Sequence, residues 1–140
     1  MLVNSWTPRR NNHDPHPTLT LYGDPRTKKN SREADRSGHV VLPSKAYQRY
    51  HRDCMKQITG KHKLCVDYPV NIQCLYYMQT RRIVDLVGLL QGTDDLLTDA
   101  GVIKDDNSRI VAGHDGSRVL YDKENPRVEI TITPIAQMEI

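Results

Sequence analysis

Leucines at 19 and 21 alternate with threonines over Thr18 to Gly23, the period of a half-buried strand, and Gly23 and Pro25 stop it. A second alternation, Val70, Ile72, Cys74 and Tyr76 inside Val66 to Met78, predicts a strand in the middle of the sheet. Between them, Ser44 is placed to cap a helix over Lys45 to Gly60, with Tyr47, Tyr50, Cys54 and Ile58 at helical spacing. His39 to Pro43 reads as a short strand before it. A second helix is expected over Asp85 to Asp99, ended by Ala100-Gly101 in a left-handed stop. The remainder reads as β: Val102-Ile103, Ile110 to Gly113, Arg118 to Tyr121 and Val128 to Thr133. Turns at His114 to Ser117 and Asp122 to Pro126 divide them. This order predicts an α/β (α+β) domain, a mixed sheet with two main helices packed on it.

Residues 1–17 carry no period and are rich in Pro, Asn and His, so they read as a mobile tail ahead of a single domain over 18–140. No stretch approaches the ~18 apolar residues of a membrane span. With no charged-then-apolar leader visible, a cytoplasmic setting is expected. The 140 residues include no Phe and one Trp, so the core must rest on Leu, Val, Ile and Tyr, and a partner subunit is expected to complete it. Three cysteines, Cys54, Cys65 and Cys74, show no Cys-x-x-Cys pair, which argues against a disulfide framework or a zinc site and for buried, reduced thiols.

The formal net charge of +3 conceals a division. Residues 1–64 hold thirteen Lys/Arg against five Asp/Glu, whereas residues 65–140 hold seven against twelve. Either the two halves attract each other within an ordinary globule, or a polyanion-binding surface lies beside a carboxylate cluster that holds a cation. The basic positions favour the second. Arg26, Lys28, Lys29, Asn30 and Arg32 crowd one loop, and Lys45, Arg49, Arg52 and Lys56 share the polar face of the first helix, as a phosphate-facing surface would. Arg81 and Arg82 close the central strand.

On a helical wheel with Asp85 at zero, Leu86, Leu89, Leu90, Thr93, Leu96 and Leu97 fall between about 20° and 140°. Asp85, Gly88, Gly92, Asp95 and Asp99 fall between about 280° and 360°. Two glycines on one stripe imply that a second helix or a ligand backbone comes close there. Six aspartates, at 85, 94, 95, 99, 105 and 106, lie within residues 85–106, opposed there only by Lys104. Such hard oxygen donors suit Mg2+, which keeps waters for a phosphate to replace. A metal or an approaching cationic side chain would relieve their repulsion. His114 is the only histidine of the acidic half; it could serve as a base, but a His-Asp-Gly turn accounts for it.

Thr80-Arg-Arg-Ile-Val-Asp85-Leu, Ala100-Gly101-Val-Ile-Lys-Asp105-Asp106-Asn and Asn125-Pro-Arg-Val-Glu-Ile-Thr-Ile132 together resemble the RusA family of Holliday junction resolvases. The basic loop and Leu42-Pro-Ser-Lys-Ala-Tyr47 fit its phage and Gram-positive branch, and the resemblance covers roughly residues 18–133. It implies a homodimeric endodeoxyribonuclease that cuts four-way DNA junctions with Mg2+, Mn2+ being a substitute. It further implies catalytic roles for Asp85, Asp95, Asp105 and Asp106. Asp85 with Asp106 would hold the metal, with Asp105 or Asp95 supplying a further ligand. DNA contacts would come from Arg26, Lys28, Lys29, Asn30, Arg32, Lys45, Arg49, Arg52, Arg81 and Arg82. The family's Asp-x-Asp-Asn-x-x-Lys run meets Val87, Gly88 and Gln91 at its last three fixed positions, so Lys28, Lys29 or Lys104 would have to replace the lysine. The alternatives are a RusA-like protein that binds branched DNA without cutting it, and an interaction protein whose charge division is structural.

Overall fold

The computed structural model describes residues 18–28, 32–34 and 41–135. The expected tail, Lys29, Asn30 and the first residues of the His39 to Pro43 strand lie outside them. The chain runs β1 (Thr18–Tyr22), β2 (Arg32–Ala34), β3 (Val41–Pro43), α1 (Lys45–Gln57), β4 (Val70–Met78), α2 (Leu86–Asp99), β5 (Val111–Gly113), β6 (Arg118–Tyr121) and β7 (Arg127–Pro134). Strands β1, β7, β4 and β5 lie side by side in that order, and β6 also pairs with β4. This is a mixed, five-stranded sheet carrying two helices, an α+β fold. Strand β7 is antiparallel to both neighbours, whereas β5 and β6 run parallel to β4.

Alternation decides which face is buried. Leu19 and Leu21 of β1, Val128, Ile130 and Ile132 of β7, and Val70, Ile72, Cys74, Tyr76 and Met78 of β4 are all buried, and their odd-numbered or even-numbered neighbours are not. Cys54 and Ile58 from the first helix and Leu89, Leu96 and Leu97 from the second join the same core, so both helices cover one face of the sheet. The Tyr76 hydroxyl sits 2.7 Å from Thr93 Oγ1 inside this layer; Thr93 in turn donates to the Leu89 carbonyl at 3.0 Å. Strands β5 and β6 form one edge interrupted by a turn. Across the gap the Cys74 N–H donates to Ser117 Oγ at 2.9 Å, and the Asn71 side chain bonds both backbone groups of Asp115.

Several expected boundaries shift for local reasons. The first helix ends at Gln57, because Ile58 is already extended, and Gly60 opens a separate 3-10 turn over Gly60–His62. The central strand begins at Val70 rather than Val66: Pro69 has no N–H to give a ladder, and Val66 makes only an isolated bridge to Ile103. That bridge is also all that forms at Val102-Ile103. Arg32, expected in the basic loop, starts β2, which pairs with β3 as a separate antiparallel ribbon. Cys54 and Cys74 are buried free thiols as expected, but Cys65 is exposed, at φ 51° beside the bridge. Among the described residues no helix is long and apolar enough to cross a membrane.

Candidate functional site

Asp95 is fixed by α2, and its surroundings are built from three segments distant in sequence. Lys28 reaches it from the loop after β1, with Nζ 2.9 Å from Asp95 Oδ2. Asp106 reaches it from the loop after the helix. Gly101 turns that loop at φ 80°, and the returning chain is pinned where the Lys104 N–H donates to the Val66 carbonyl at 2.9 Å. Asp105 then wires the loop to itself: its carboxylate accepts from Asp106 N at 2.7 Å and from Asn107 Nδ2 at 3.1 Å. These donors hold Asp105 below the ordinary carboxylate pKa. Asp106 is held above it, first by lost hydration, then by hydrogen bonding to Asp105 and by the charge of Asp95.

The glycine stripe explains the close approach. A Cβ on Gly88 would stand 3.3 Å from the Thr27 methyl, and one on Gly92 would stand 3.7 Å from both the Arg26 carbonyl oxygen and the Tyr47 ring. The neighbour is therefore the chain's own loop together with a side chain of α1. Both glycines are buried, so the helix is covered on two sides and not only along its leucines. Tyr47 is 4% exposed, and among the described residues its hydroxyl has no hydrogen-bond partner. Burial first, and then the charges of Asp95 and Asp99, push this phenol up to about 12. It is neutral across the whole physiological range and keeps its O–H.

Asp85 stands apart. Its carboxylate accepts from Val87 N at 3.2 Å and so caps the first turn, ten residues before Asp95 and about 15 Å away along the axis. Asp95, Asp105 and Asp106 are thus gathered at one end of the helix and Asp85 lies at the other. Among the described residues no three His, Cys, Asp or Glu side chains form a metal-binding group. The Asp95 and Asp106 pair nonetheless fits Mg2+, which takes one or two protein carboxylates and keeps its waters.

The basic residues divide by environment. Lys45, Arg49, Arg52 and Lys56 project from the exposed face of α1, with no described carboxylate in ion-pair range. Arg82 is spoken for: its guanidinium donates to Asp24 Oδ2 at 2.9 Å and to the Pro25 carbonyl at 3.0 Å, tying the basic loop to the end of β4. Arg26 lies 3.6 Å from the same Asp24, and Arg81 stacks 4.1 Å over the Tyr121 ring. Only the backbone of Arg32 is described.

No protein-family model matches the chain, and no curated protein matches it. Its chemistry has to be read from the residues themselves. Two features escaped the linear reading. Tyr47 looked like a core position because its spacing with Tyr50 and Cys54 is helical. His114 does occupy a turn, with Ser117 N–H donating to its carbonyl at 3.1 Å, but its Nε2 also lies 2.8 Å from Oδ2 of the buried Asp94. The one available signal was an aspartate on the wheel between the leucine stripe and the polar face.

Proposed function

We propose that this chain is a RusA-type, structure-specific endodeoxyribonuclease, acting as a homodimer on four-way DNA junctions with Mg2+, or Mn2+ in its place, in a cytoplasmic setting. The observation that carries the reading is the Lys28 ammonium on Asp95, with Asp106 adjoining and, on the neighbouring helix, a basic face with no described carboxylate in ion-pair range. Asp95 and Asp106 would hold the cation. When bound, Mg2+ offsets phosphate charge and lowers the pKa of a coordinated water. Lys28, displaced from Asp95, is then free to face the phosphate and stabilise charge developing on it. That supplies the lysine missing at Gln91. Asp105 shapes the loop that presents Asp106.

Lys45, Arg49, Arg52 and Lys56 provide phosphate contacts that position DNA without reading sequence. Two coordinated cuts need two sites related by a twofold axis. Ile83, 100% exposed, and Val87, 69% exposed, flank Asp85 and give a second copy an apolar surface to cover. In such a dimer Asp85 would stand at the rim of the contact between copies. The exposed valine where the family has an acid also supports a second reading, a branched-DNA-binding protein without cleavage.

Junction binding in EDTA, compared with cleavage in Mg2+ or Mn2+, tests the proposal. Binding in EDTA with symmetric nicks in metal is expected. Binding without cleavage in either metal leaves the second reading, and neither binding nor cleavage overturns both.

A further inference from the structure

Tyr47 presents an unusual combination: a hydroxyl withdrawn from solvent, without a hydrogen-bond partner among the described residues, on a helix whose other buried groups are satisfied. Leaving a buried hydroxyl unpaired costs stability, and a phenylalanine would fill the same space at no such cost. The hydroxyl stands 3.8 Å from where a Cβ of Gly92 would lie, and Gly92 is one turn before Asp95 on the same face of α2. The Arg26 carbonyl lies 3.7 Å from the same point, and the Lys28 ammonium occupies Asp95.

Resting on the cation site proposed above, we propose that Tyr47 is a positioning residue for a hydrated divalent cation held by Asp95 and Asp106, its phenol oxygen accepting a hydrogen bond from the ion's water shell. Groups that bond to a metal's ligands from outside typically govern its affinity by 10–100-fold. A phenol suits the position because it contributes a hydrogen-bonding oxygen without adding a third negative charge beside two carboxylates. Lys28 holds the place of the ion in its absence. Its exchange from Asp95 opens the approach to the hydroxyl.

The test is a calorimetric titration of the full-length wild-type chain, Tyr47→Phe and Asp106→Asn with Mn2+, together with their metal-free melting curves. Tyr47→Phe is expected to melt above the wild type without metal and to bind Mn2+ about tenfold more weakly. Asp106→Asn is expected to give no binding heat. Tyr47→Phe with wild-type affinity, alongside a silent Asp106→Asn, overturns the role of Tyr47 and leaves the cation site standing. No heat from the wild type overturns both. A measurement free of any variant is the near-ultraviolet difference spectrum of the wild type on adding Mn2+. Perturbation of a tyrosine is expected, and an unchanged spectrum at saturating Mn2+ contradicts the contact.

Discussion

Lys28 and Asp95, 67 residues apart in the chain, form an ion pair of 2.9 Å between the loop after β1 and the polar side of α2. Both side chains keep substantial solvent contact, so the pair contributes little to stability, of the order of 0–1 kcal/mol. On the proposed function its value lies in chemistry. Lys28→Met is expected to lower the rate of junction cleavage by about 100-fold, the scale of losing one transition-state donor. The same change removes a competitor for Asp95 and is expected to tighten Mn2+ binding. Opposite movements of single-turnover rate and calorimetric affinity would establish this; a variant that cuts at the wild-type rate would refute it.

The two glycines of α2 are expected to differ. A methyl at 92 meets only ordinary contacts at 3.7 Å, so Gly92→Ala should gain helix propensity and raise stability by about 0.5–1 kcal/mol. A methyl at 88 meets Thr27 and the Asp85 carboxylate at 3.3 Å and forces them aside. Urea unfolding should rank Gly92→Ala above the wild type and Gly88→Ala below Gly92→Ala. The reverse order would mean that the Thr27 loop does not seat on this stripe.

His114 gives stability a pH dependence. The hydrogen bond its imidazole donates to Asp94 outweighs the effect of burial and holds its pKa above the ordinary 6.5. A group whose folded pKa is raised stabilises fully below its unfolded value and loses that contribution as pH climbs through the folded value. Wild type is therefore expected to be more stable than His114→Gln below pH 6.5, with the gap narrowing as pH rises through the folded pKa. Urea midpoints measured across that range would test it, and a gap constant with pH would exclude the charged pair.

Much of this architecture could be read from local pattern. The leucine stripe and the Ala100-Gly101 stop define α2 within a residue, and the alternation of Ile72, Cys74 and Tyr76 identifies β4 as central. Arg32–Ala34 left no trace because three residues are too few to show a period. The site was legible as a set of residues but not as an arrangement. Asp95, Asp105 and Asp106 stood out only among six clustered aspartates, with Asp85 expected beside Asp106, and Lys28 was one of three candidate replacements for the absent lysine. Nothing local indicates that Thr27 seats on Gly88, or that the Tyr47 hydroxyl meets Gly92 without a partner. Those are long-range contacts between a loop and two helices. The distance of Asp85 from the other carboxylates follows from the helix rise, and only the course of the loop beyond Gly101 fixes which end Asp106 joins.

The face formed by Lys45, Arg49, Arg52 and Lys56 makes a separate claim. If all four contact phosphates, replacing them with alanine should reduce the slope of log affinity against log salt by about 3 to 4, weakening all branched DNAs alike. Titrations of a labelled junction at several salt concentrations would measure it. An unchanged slope would place the DNA elsewhere.

The most direct measurement is single-turnover cleavage of a four-way junction by the wild type, Asp95→Asn and Asp106→Asn in Mg2+, with junction affinity determined in EDTA for each. Paired nicks by the wild type, and none by either variant despite wild-type affinity, are the expected result. Cleavage by both variants at the wild-type rate, or wild-type cleavage undiminished in EDTA, would contradict a cation site built on Asp95 and Asp106.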